Sequence, residues 1–188
     1  NFIGGVPFDV TTFRVDDPVA RALGAEDLDA EESTNFAVGA VFQAGAFNLT
    51  VDGYRIDVTD RIVLSENLGT GPVTDAASNA VRAYLQAQGF QGAAGRFFIN
   101  GVDTETTGVD VIANYAFPDT VIGKLDATLG ANFSSTEVTK IPSVPQLSAL
   151  SPAPTLFGRI NVLTFEEGAP KDKFTGQRTG KTGPLPQT

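Results

Sequence analysis

The stretch that decides the fold is Phe47–Leu68, "FNLTVDGYRIDVTDRIVLSENL". Apolar and polar residues alternate through it, and its valine, isoleucine and tyrosine content is typical of a β-strand. The alternation continues for about eighteen residues, although strands in soluble domains usually span about 3–10. Five charged side chains lie inside the alternating part of the stretch: Asp52, Arg55, Asp57, Asp60 and Arg61. The sequence therefore predicts a strand that is apolar on one side, charged on the other, and longer than a soluble domain requires.

Composition narrows the classes of function. The chain has 188 residues and a formal net charge of -9, so it lacks the positive surface that binding to nucleic acid requires. It contains no cysteine and no histidine, which removes thiol chemistry, the commonest general base and the commonest metal ligand. Its serines lie in no nucleophile-elbow pattern. We therefore expect no enzyme, no catalytic or metal-binding residue and no cofactor.

The alternating segments predict an all-β fold of long antiparallel strands, joined in hairpins by two kinds of connection. The short turns are Gln43–Ala46 and Pro118–Gly123, and the long connections are rich in glycine, proline and serine. The predicted division is 1–32 loop, 33–64 hairpin, 65–96 long loop with a helix, 97–141 hairpin, 142–170 long loop and 171–188 strand or tail. The last segment stays open because glycines and prolines interrupt its alternation.

One short helix is predicted inside the first long loop, in the stretch "TDAASNAVRAYLQAQG". Thr74 or Asp75 is suited to the N-cap, and Gly89 is suited to the C-terminal stop. Apolar residues recur at helical spacing and form one stripe: Ala77, Ala80, Val81, Tyr84 and Leu85. We expect this stripe to pack against the protein rather than to bind a ligand.

Strand length points to a membrane. A tilted barrel strand crosses an apolar band about 25 Å tall in about ten residues, which from Phe47 reaches Asp57. The alternation slips at Gly53, and a single bulge there would leave Arg55 and Asp57 on the side of Asp52. The same bulge would place three residues on the apolar side: Tyr54, Ile56 and Val58. Beyond the band, Asp60 and Arg61 are expected to stand in water.

The alternation also assigns side chains on the other strands to two faces. The face expected to line a polar lumen includes Asp52, Asn114, Asp126 and Asn132. The face expected to contact lipid includes Leu49, Val111, Leu125 and Leu129. Aromatic residues beside the two short turns are expected to form a girdle at one membrane interface: Phe42, Phe47, Tyr115 and Phe117.

Two segments carry a family resemblance. "EESTNFAVGAVFQAGAFNLTVDGYRIDVTDRIVLSENL" and "RFFINGVDTETTGVDVIANYAF" resemble the C-terminal barrel portion of TonB-dependent outer-membrane receptors. In that family a "VDxYRIDxxDRI" strand precedes an extracellular loop and an "F-N-x-x-D-T-x-T-x-G-x-D" strand. The second pattern falls here on Phe98, Asn100, Asp103, Thr104, Thr106, Gly108 and Asp110. The segment "LFGRINVLTFEEGAPKDKF" resembles a later extracellular loop and strand, so the likeness covers about residues 1–174, and the tail departs from it.

The resemblance implies a barrel of about 22 strands with a plug domain in its lumen. Such a receptor takes up a scarce nutrient, such as a ferric siderophore or cobalamin, across the outer membrane of a Gram-negative bacterium. The implied partners are the plug and the remaining strands, a periplasmic energy-coupling protein, outer-membrane lipid and a small-molecule ligand. Because so few strands cannot close a barrel, we expect the chain to be a fragment that lacks the plug.

Orientation follows from the lengths of the connections. Outer-membrane barrels have short periplasmic turns and long extracellular loops, which would place residues 65–96 and 142–170 outside the cell. Loops often carry recognition, and arginine suits an anionic chelate. The candidate ligand-binding residues are Arg82, Tyr84, Arg96 and Arg159. The alternative for each arginine is that it only balances acidic loop residues.

Two further hypotheses remain open. The chain could be a soluble or secreted all-β module that pairs its strand edges with other chains, and dependence on detergent would separate this from a membrane protein. It could also be an acidic domain stabilised by calcium, because one stretch is rich in carboxylates. That stretch contains Glu26, Asp27, Asp29, Glu31 and Glu32. Its spacing matches no EF-hand loop, and a calcium titration of thermal stability addresses it.

Overall fold

Long strands dominate the chain. The computed structural model describes residues 2–3, 6–7, 11–118 and 123–181. The strands are β1 (Phe2–Ile3), β2 (Val6–Pro7), β3 (Thr11–Phe13), β4 (Glu32–Ala44), β5 (Phe47–Leu64), β6 (Gly95–Ala116), β7 (Lys124–Lys140) and β8 (Asp172–Lys181). The helices are α1 (Pro18–Ala22), α2 (Ala76–Ala87), α3 (Pro145–Ser148) and α4 (Arg159–Glu167). In the described ranges no helix is long and apolar enough to cross a membrane.

One sheet contains all the long strands, in the order β4-β5-β6-β7-β8. The predicted all-β fold of long antiparallel strands is confirmed. At one end, Gly45 and Ala46 join β4 to β5, and Gly45 adopts a φ of 57° that suits a tight hairpin turn. Residues 119–122 of the second predicted turn lie outside the described residues. The short strand β3 adds a parallel pairing to the start of β6.

The last described segment, left open by the sequence, forms a strand. β8 pairs antiparallel with β7 along its whole length, from Lys124 opposite Lys181 to Phe133 opposite Asp172. The glycines that interrupt its alternation do not prevent this, because the ladder uses backbone groups and β7 supplies the partners. The hydroxyl of Thr175 lies over Gly130, where the glycine leaves room for it.

The chain divides into two compact units. The loop unit consists of residues 1–33, 58–104 and 138–164. The strand unit consists of residues 34–57, 105–137 and 165–188. The loop unit contains the ends of the long strands that lead into long connections, and the strand unit contains the ends beside the short turns.

The loop unit has a hydrophobic core of its own. Two residues of α2, Val81 and Leu85, are fully buried, which confirms that the predicted apolar stripe packs against the protein. The helix follows the predicted signals, with Asp75 as the N-cap and Gly89 at φ 92° just beyond its end. Other buried members come from separate segments of the chain: Ala20, Leu23, Ala25, Leu68, Phe97, Val144, Leu147 and Leu156.

The described residues form four helices where the sequence predicted one. Residues 1–32 were predicted as loop, but they contain β3 and α1, and Leu23 just after α1 is buried in the core. Residues 142–170 also contain α3 and α4. These helices are too short for a periodic pattern to identify them, and helices of this length depend on tertiary packing. Proline in the first turn of α1 and α3 marks their starts, a signal that also fits a loop.

The alternation of β5 does not slip at Gly53, so the predicted bulge is wrong. Tyr54 lies on the polar face, with its ring over Gly108 and its hydroxyl accepting a hydrogen bond from Asn132 Nδ2 at 3.2 Å. Left-handed backbone occurs instead at Asp60, with a φ of 53°. Aspartate tolerates this conformation better than most residues. The strand therefore keeps one phase until it has passed the apolar segment.

Because the alternation of β5 continues unbroken through Gly53, the residues after it lie on the faces opposite to those predicted. Arg55 pairs with Asp57 and with Glu105 of β6, at 2.9 Å in each case. Because alternate residues point to opposite sides, these three side chains lie opposite Tyr54, and Ile56 shares its polar face together with Val58. The prediction failed because the sequence does not reveal the room that Gly108 provides for a tyrosine ring.

The fit of Tyr54 over Gly108 gives a matched pair of substitutions. A Cβ at position 108 would collide with the tyrosine ring and lie 2.9 Å from the carbonyl oxygen of Phe133. We expect Gly108→Ala to lower the free energy of unfolding by about 1–3 kcal/mol. Gly53→Ala should cause no loss, because its Cβ would meet only the carbonyl oxygen of Val38 at 3.9 Å. Urea unfolding in lipid vesicles measures both, and equal losses would contradict this packing.

The N-cap of α2 predicts a dependence on pH. Asp75 accepts hydrogen bonds from the Ser78 hydroxyl at 2.5 Å and from the backbone N–H of Ala77 at 3.2 Å. The Ser78 hydroxyl is the main cause that lowers the pKa of Asp75. Because the folded pKa lies below the unfolded one, the stabilisation is complete above the unfolded pKa and disappears as the pH falls through the folded pKa.

Replacement of Asp75 should therefore act at neutral pH and not in acid. We expect Asp75→Ala to lower the local stability of α2 by about 1 kcal/mol at neutral pH. Amide hydrogen exchange of α2 measures this loss, which should vanish below the folded pKa. Asp16→Ala is the control, because the side chain of Asp16 is 60% exposed and bonds to Arg14 at the surface. A loss that persists unchanged in acid would show that the carboxylate is not the cap.

Candidate functional site

The two segments that carry the family resemblance contact each other across β5 and β6. The left-handed backbone at Asp60 is held by β6: its N–H donates to Asp103 Oδ1 at 2.9 Å, and its carbonyl accepts from Asn100 Nδ2 at 2.6 Å. Asn100 also bonds the backbone of Asp29, donating at 3.0 Å and accepting at 2.9 Å. One asparagine therefore ties the N-terminal connection to two strands.

The next residue of β5 is fixed in the same way. Arg61 Nη1 donates to the hydroxyl of Thr104 at 2.9 Å, and Thr104 is only 2% exposed. Lys140 of β7 lies 3.5 Å from Asp60 and 3.7 Å from Asp103. The Asp60 side chain is 51% exposed, which is compatible with the expected contact with water, and the Asp60 backbone and the Arg61 side chain in addition anchor β5 to β6. Their spacing matches acceptors and donors on β6 that a single segment of sequence does not reveal.

The polar face of the strand unit is a hydrogen-bonded wall across β6 and β7. The hydroxyls of Thr106 and Thr136 lie 2.8 Å apart. Asn132 Nδ2 donates to Asp110 Oδ1 at 2.6 Å, in addition to its bond to Tyr54. Further along, Thr128 Oγ1 donates to Asn114 Oδ1 at 2.7 Å. These residues share one side of the sheet, as the alternation predicted for Asn114 and Asn132.

The opposite face is apolar and exposed. Leu129 is 64% exposed, and Phe174 is 72% exposed. Two aromatic pairs lie on it: Tyr115 with Phe117, at 4.8 Å between ring centroids, and Phe133 with Phe174, at 5.6 Å. Along β7 the apolar positions run from Leu125 to Phe133. In a tilted barrel strand this segment spans about 20 Å along the barrel axis, which is close to the height of about 25 Å of the apolar band in a membrane.

Charged residues end this apolar face on the side away from the short turns. Arg55 is 52% exposed there, and it is neutralised by Asp57 and Glu105. A groove of about 580 Å³ is lined by Arg55 together with glycine and apolar residues: Gly53, Gly108, Phe36, Val38, Val109 and Phe133. The ion pairs reduce the cost of placing charge at the edge of an apolar layer.

Three of the four predicted ligand-binding residues are used within the loop unit. Arg82 donates to the carbonyl oxygens of Gly69 at 2.7 Å and Gly71 at 2.8 Å, and to Asn79 Oδ1 at 2.6 Å. The Tyr84 hydroxyl donates to the carbonyl of Ala22 at 3.1 Å. Arg96 Nε donates to the Thr12 hydroxyl at 3.1 Å. These contacts brace the connections, and a role in ligand binding stays a prediction for each residue.

Arg159 differs from the other three. It lies exposed at the start of α4 and lines a cavity of about 460 Å³ in the loop unit. The same cavity is lined by Glu66, whose carboxylate accepts from the Gly158 N–H at 3.2 Å and from Asn161 Nδ2 at 3.0 Å. Within the described ranges, no hydrogen bond or ion pair joins any two of the four predicted residues. They therefore do not form one site in this structure.

The acidic stretch has structural partners. Asp27 pairs with Arg21, and Glu31 Oε1 accepts from the N–H of Ile62 at 2.8 Å. Across the residues that the structure describes, no group of three or more histidine, cysteine, aspartate or glutamate side chains is placed to hold a metal ion. The carboxylates that sequence analysis grouped by proximity along the chain thus serve different neighbours in the fold.

A sheet with one hydrogen-bonded polar face and one exposed apolar face of membrane height defines the class: the wall of a transmembrane β-barrel. Comparison with family models gives a match to "TonB dependent receptor-like, beta-barrel" over residues 4–176. The chain belongs to this TonB-dependent receptor family, as the resemblance predicted. The family implies the bacterial outer membrane and a role in a receptor or transporter. Searches of curated proteins and of solved structures gave no match.

The contacts of Asn100 give a test of how the family pattern stabilises the wall. Asn100→Leu would leave the N–H of Asp29 and two carbonyl groups without their partner, and we expect a loss of about 1–3 kcal/mol in the free energy of unfolding. Asn100→Asp should lose stability at neutral pH, because a carboxylate would face two carbonyl oxygens. Part of that loss should return in acid, when protonation restores a donor. Urea titrations at both pH values measure this, and a pH-independent loss would contradict the assigned contacts.

Proposed function

We propose that this chain forms part of the barrel wall of a receptor that takes up a scarce nutrient, such as a ferric siderophore, by energy-coupled transport. The observation that carries the proposal is the division of the strand unit into a polar wall, joined by Asn132 and Asp110, and an apolar face that exposes Leu129 and Phe174. A soluble protein rarely leaves so much apolar surface in water, whereas a membrane wall requires it.

In this arrangement each part of the chain has its own task. The apolar face contacts outer-membrane lipid, and the polar wall lines the lumen through which cargo passes. Residues 65–96 and 142–170 lie outside the cell and contribute to ligand recognition. Arg159 is the strongest of the four candidates, because it is exposed on a cavity and an arginine can bind carboxylate or chelate oxygens in two places at once.

The remaining parts of the receptor complete the mechanism. A plug domain and further strands close the lumen, and a periplasmic energy-coupling protein acts through the plug. In this proposal the chain helps to bind the cargo and lines its path, and it catalyses no reaction. The edges of the sheet support the proposal that further strands complete the barrel. β4 and β8 lie at these edges, and each needs another strand as partner before the sheet can be placed in lipid.

The facing of β7 can be tested with two neighbouring substitutions in the assembled receptor. Leu129→Arg would place a charge in lipid near the middle of the band, and we expect a loss of about 2–4 kcal/mol. Thr128→Arg should cost less, because Thr128 lies on the polar wall beside Asn114. Unfolding in lipid vesicles measures both. A severe loss at 128 with none at 129 would reverse the faces.

Orientation can be tested by adding a protease to intact cells that make the receptor. Cleavage is expected within 65–96 or 142–170, while the Gln43–Ala46 turn is spared until the outer membrane is opened. Recognition of the ligand is tested separately, by measuring uptake of a labelled ferric chelate with and without Arg159→Ala. Arg14→Ala is the matched control, because Arg14 is an exposed surface residue paired with Asp16. Cleavage confined to the short turns would remove the basis for ligand access. A chain that stays monodisperse without detergent would contradict a membrane location.

A further inference from the structure

A cavity of about 460 Å³ lies in the loop unit, lined by residues at the start of α2 and at the start of α4. Its volume is within the range of about 300–1,000 Å³ that is usual for small-molecule sites. The start of a helix attracts an anion when its first N–H groups have no partner. In this cavity, however, carboxylates of the chain itself already occupy both helix starts.

The two carboxylates give the cavity a negative balance. Asp75 accepts from the N–H of Ala77 at 3.2 Å, and Glu66 Oε1 accepts from the N–H of Gly158 at 3.2 Å. Among the described residues, Arg159 is the only basic one on the lining, so two negative charges and one positive charge give a net charge of -1. A ligand that carries a negative charge would therefore meet two like charges and one opposite charge.

Two polar groups on the lining are unpaired within the described part of the chain. Arg159 is exposed, and its guanidinium makes no hydrogen bond or ion pair with the residues that the structure describes. Asn67 Oδ1 is shielded from water and lacks a hydrogen-bond partner among the same residues. An acceptor in this state is unfavourable, because it has lost water without gaining a donor. The cavity therefore presents one unpaired donor and one unpaired acceptor.

We propose that this cavity binds a neutral, polyhydroxylated ring, the hexose unit of a small saccharide, as the cargo of the receptor. The inference rests on the proposed function and narrows its class of nutrient. A hydroxyl group both donates and accepts hydrogen bonds, so hydroxyls of one sugar can accept from Arg159 and donate to Asn67. Part of Asn67 lines the cavity, and rotation of its amide presents Oδ1 to the bound sugar.

Charged ligands of similar size fit this pair of groups less well. A carboxylate only accepts hydrogen bonds and an ammonium group only donates them. The first leaves Asn67 without a donor and is repelled by Glu66 and Asp75, and the second is repelled by Arg159. The lining also has an apolar part, because Ile160 is 79% exposed there. The C–H face of a sugar ring can pack against this side chain while its hydroxyl edge meets the polar groups.

Binding of three charge states of the same ring to the full-length receptor in detergent tests the proposal. The probes are glucose, glucuronate and glucosamine, and galactose, galacturonate and galactosamine, and isothermal titration calorimetry measures each affinity. We expect at least one of the two neutral sugars to bind. Its acidic and its amino counterpart should each bind about tenfold more weakly, because each places a charge where the cavity has a like charge.

Substitutions locate the site. Asn67→Leu and Arg159→Ala should each weaken binding of the neutral sugar about tenfold, and Arg14→Ala is the control that should leave it unchanged. Asn67→Leu should not lower the midpoint of urea unfolding, because it removes an unpaired acceptor and not a structural contact. Bound sugar should slow amide hydrogen exchange in residues 66–78 and 155–161, and not in the Gln43–Ala46 turn.

Three outcomes overturn the inference: neither neutral sugar binds, a charged counterpart binds as tightly as the neutral form, or neither Asn67→Leu nor Arg159→Ala weakens binding. Uptake of the labelled sugar and of a labelled ferric chelate is measured separately in cells. A receptor that takes up the ferric chelate and binds no sugar rejects this inference and leaves the transport function in place. A receptor that binds the sugar as expected and takes up neither compound supports the site and rejects the transport function.

Discussion

The left-handed backbone at Asp60 is the constraint on which the arrangement of the long strands depends. A non-glycine residue at a φ of 53° persists only where its surroundings hold it, and here Asn100 and Asp103 hold both its N–H and its carbonyl. The irregularity sits beyond the apolar part of β5, so the strand keeps one phase through the layer where phase decides which side chains meet lipid. Past Asp60 the strand continues to Leu64, where the long connection begins.

Because the irregular backbone lies at Asp60 and not within the apolar segment, the alternation of β5 is uninterrupted before it. Tyr54 therefore stays on the polar side and covers Gly108, and its hydroxyl bonds to Asn132. Arg55 is directed to the other side, where it needs Asp57 and Glu105 as partners. The two segments that resemble the family are therefore two halves of one set of contacts. Their residue types are restricted because each supplies what the other lacks: a ring for a glycine, and amide and carboxylate groups for an irregular backbone.

Sequence reasoning predicted whatever depends on local periodicity. Alternation identified the long strands and the polar and apolar sides of β6 and β7, and Asp75 with Gly89 bounded α2. It failed where the deciding contact is distant along the chain. Gly53 looked like a bulge because Tyr54 and Ile56 are apolar enough to seem lipid-facing, and nothing near them in sequence shows Gly108. The strand β8 could not be predicted from its own glycines, because its stability comes from the ladder with β7.

The candidate site shows the same limit. Arg82, Tyr84 and Arg96 were chosen because arginine and tyrosine in a long loop suit ligand binding, yet the structure gives each of them a contact inside the loop unit. Composition cannot separate an arginine that braces carbonyl groups from one that waits for an anion.

The core of the loop unit has a consequence for how such a receptor could change its specificity. Residues such as Leu68, Val81 and Leu147 pack together beneath the surface of the connections, so under the proposed function the connections are supported by a packed core before cargo binds. Binding then need not freeze a mobile loop, a step that costs about 1–2 kcal/mol for each ordered residue. New cargo preferences would arise by exchange of surface side chains on a fixed frame. Insertions or deletions in these connections would disturb the core, and selection should tolerate them poorly.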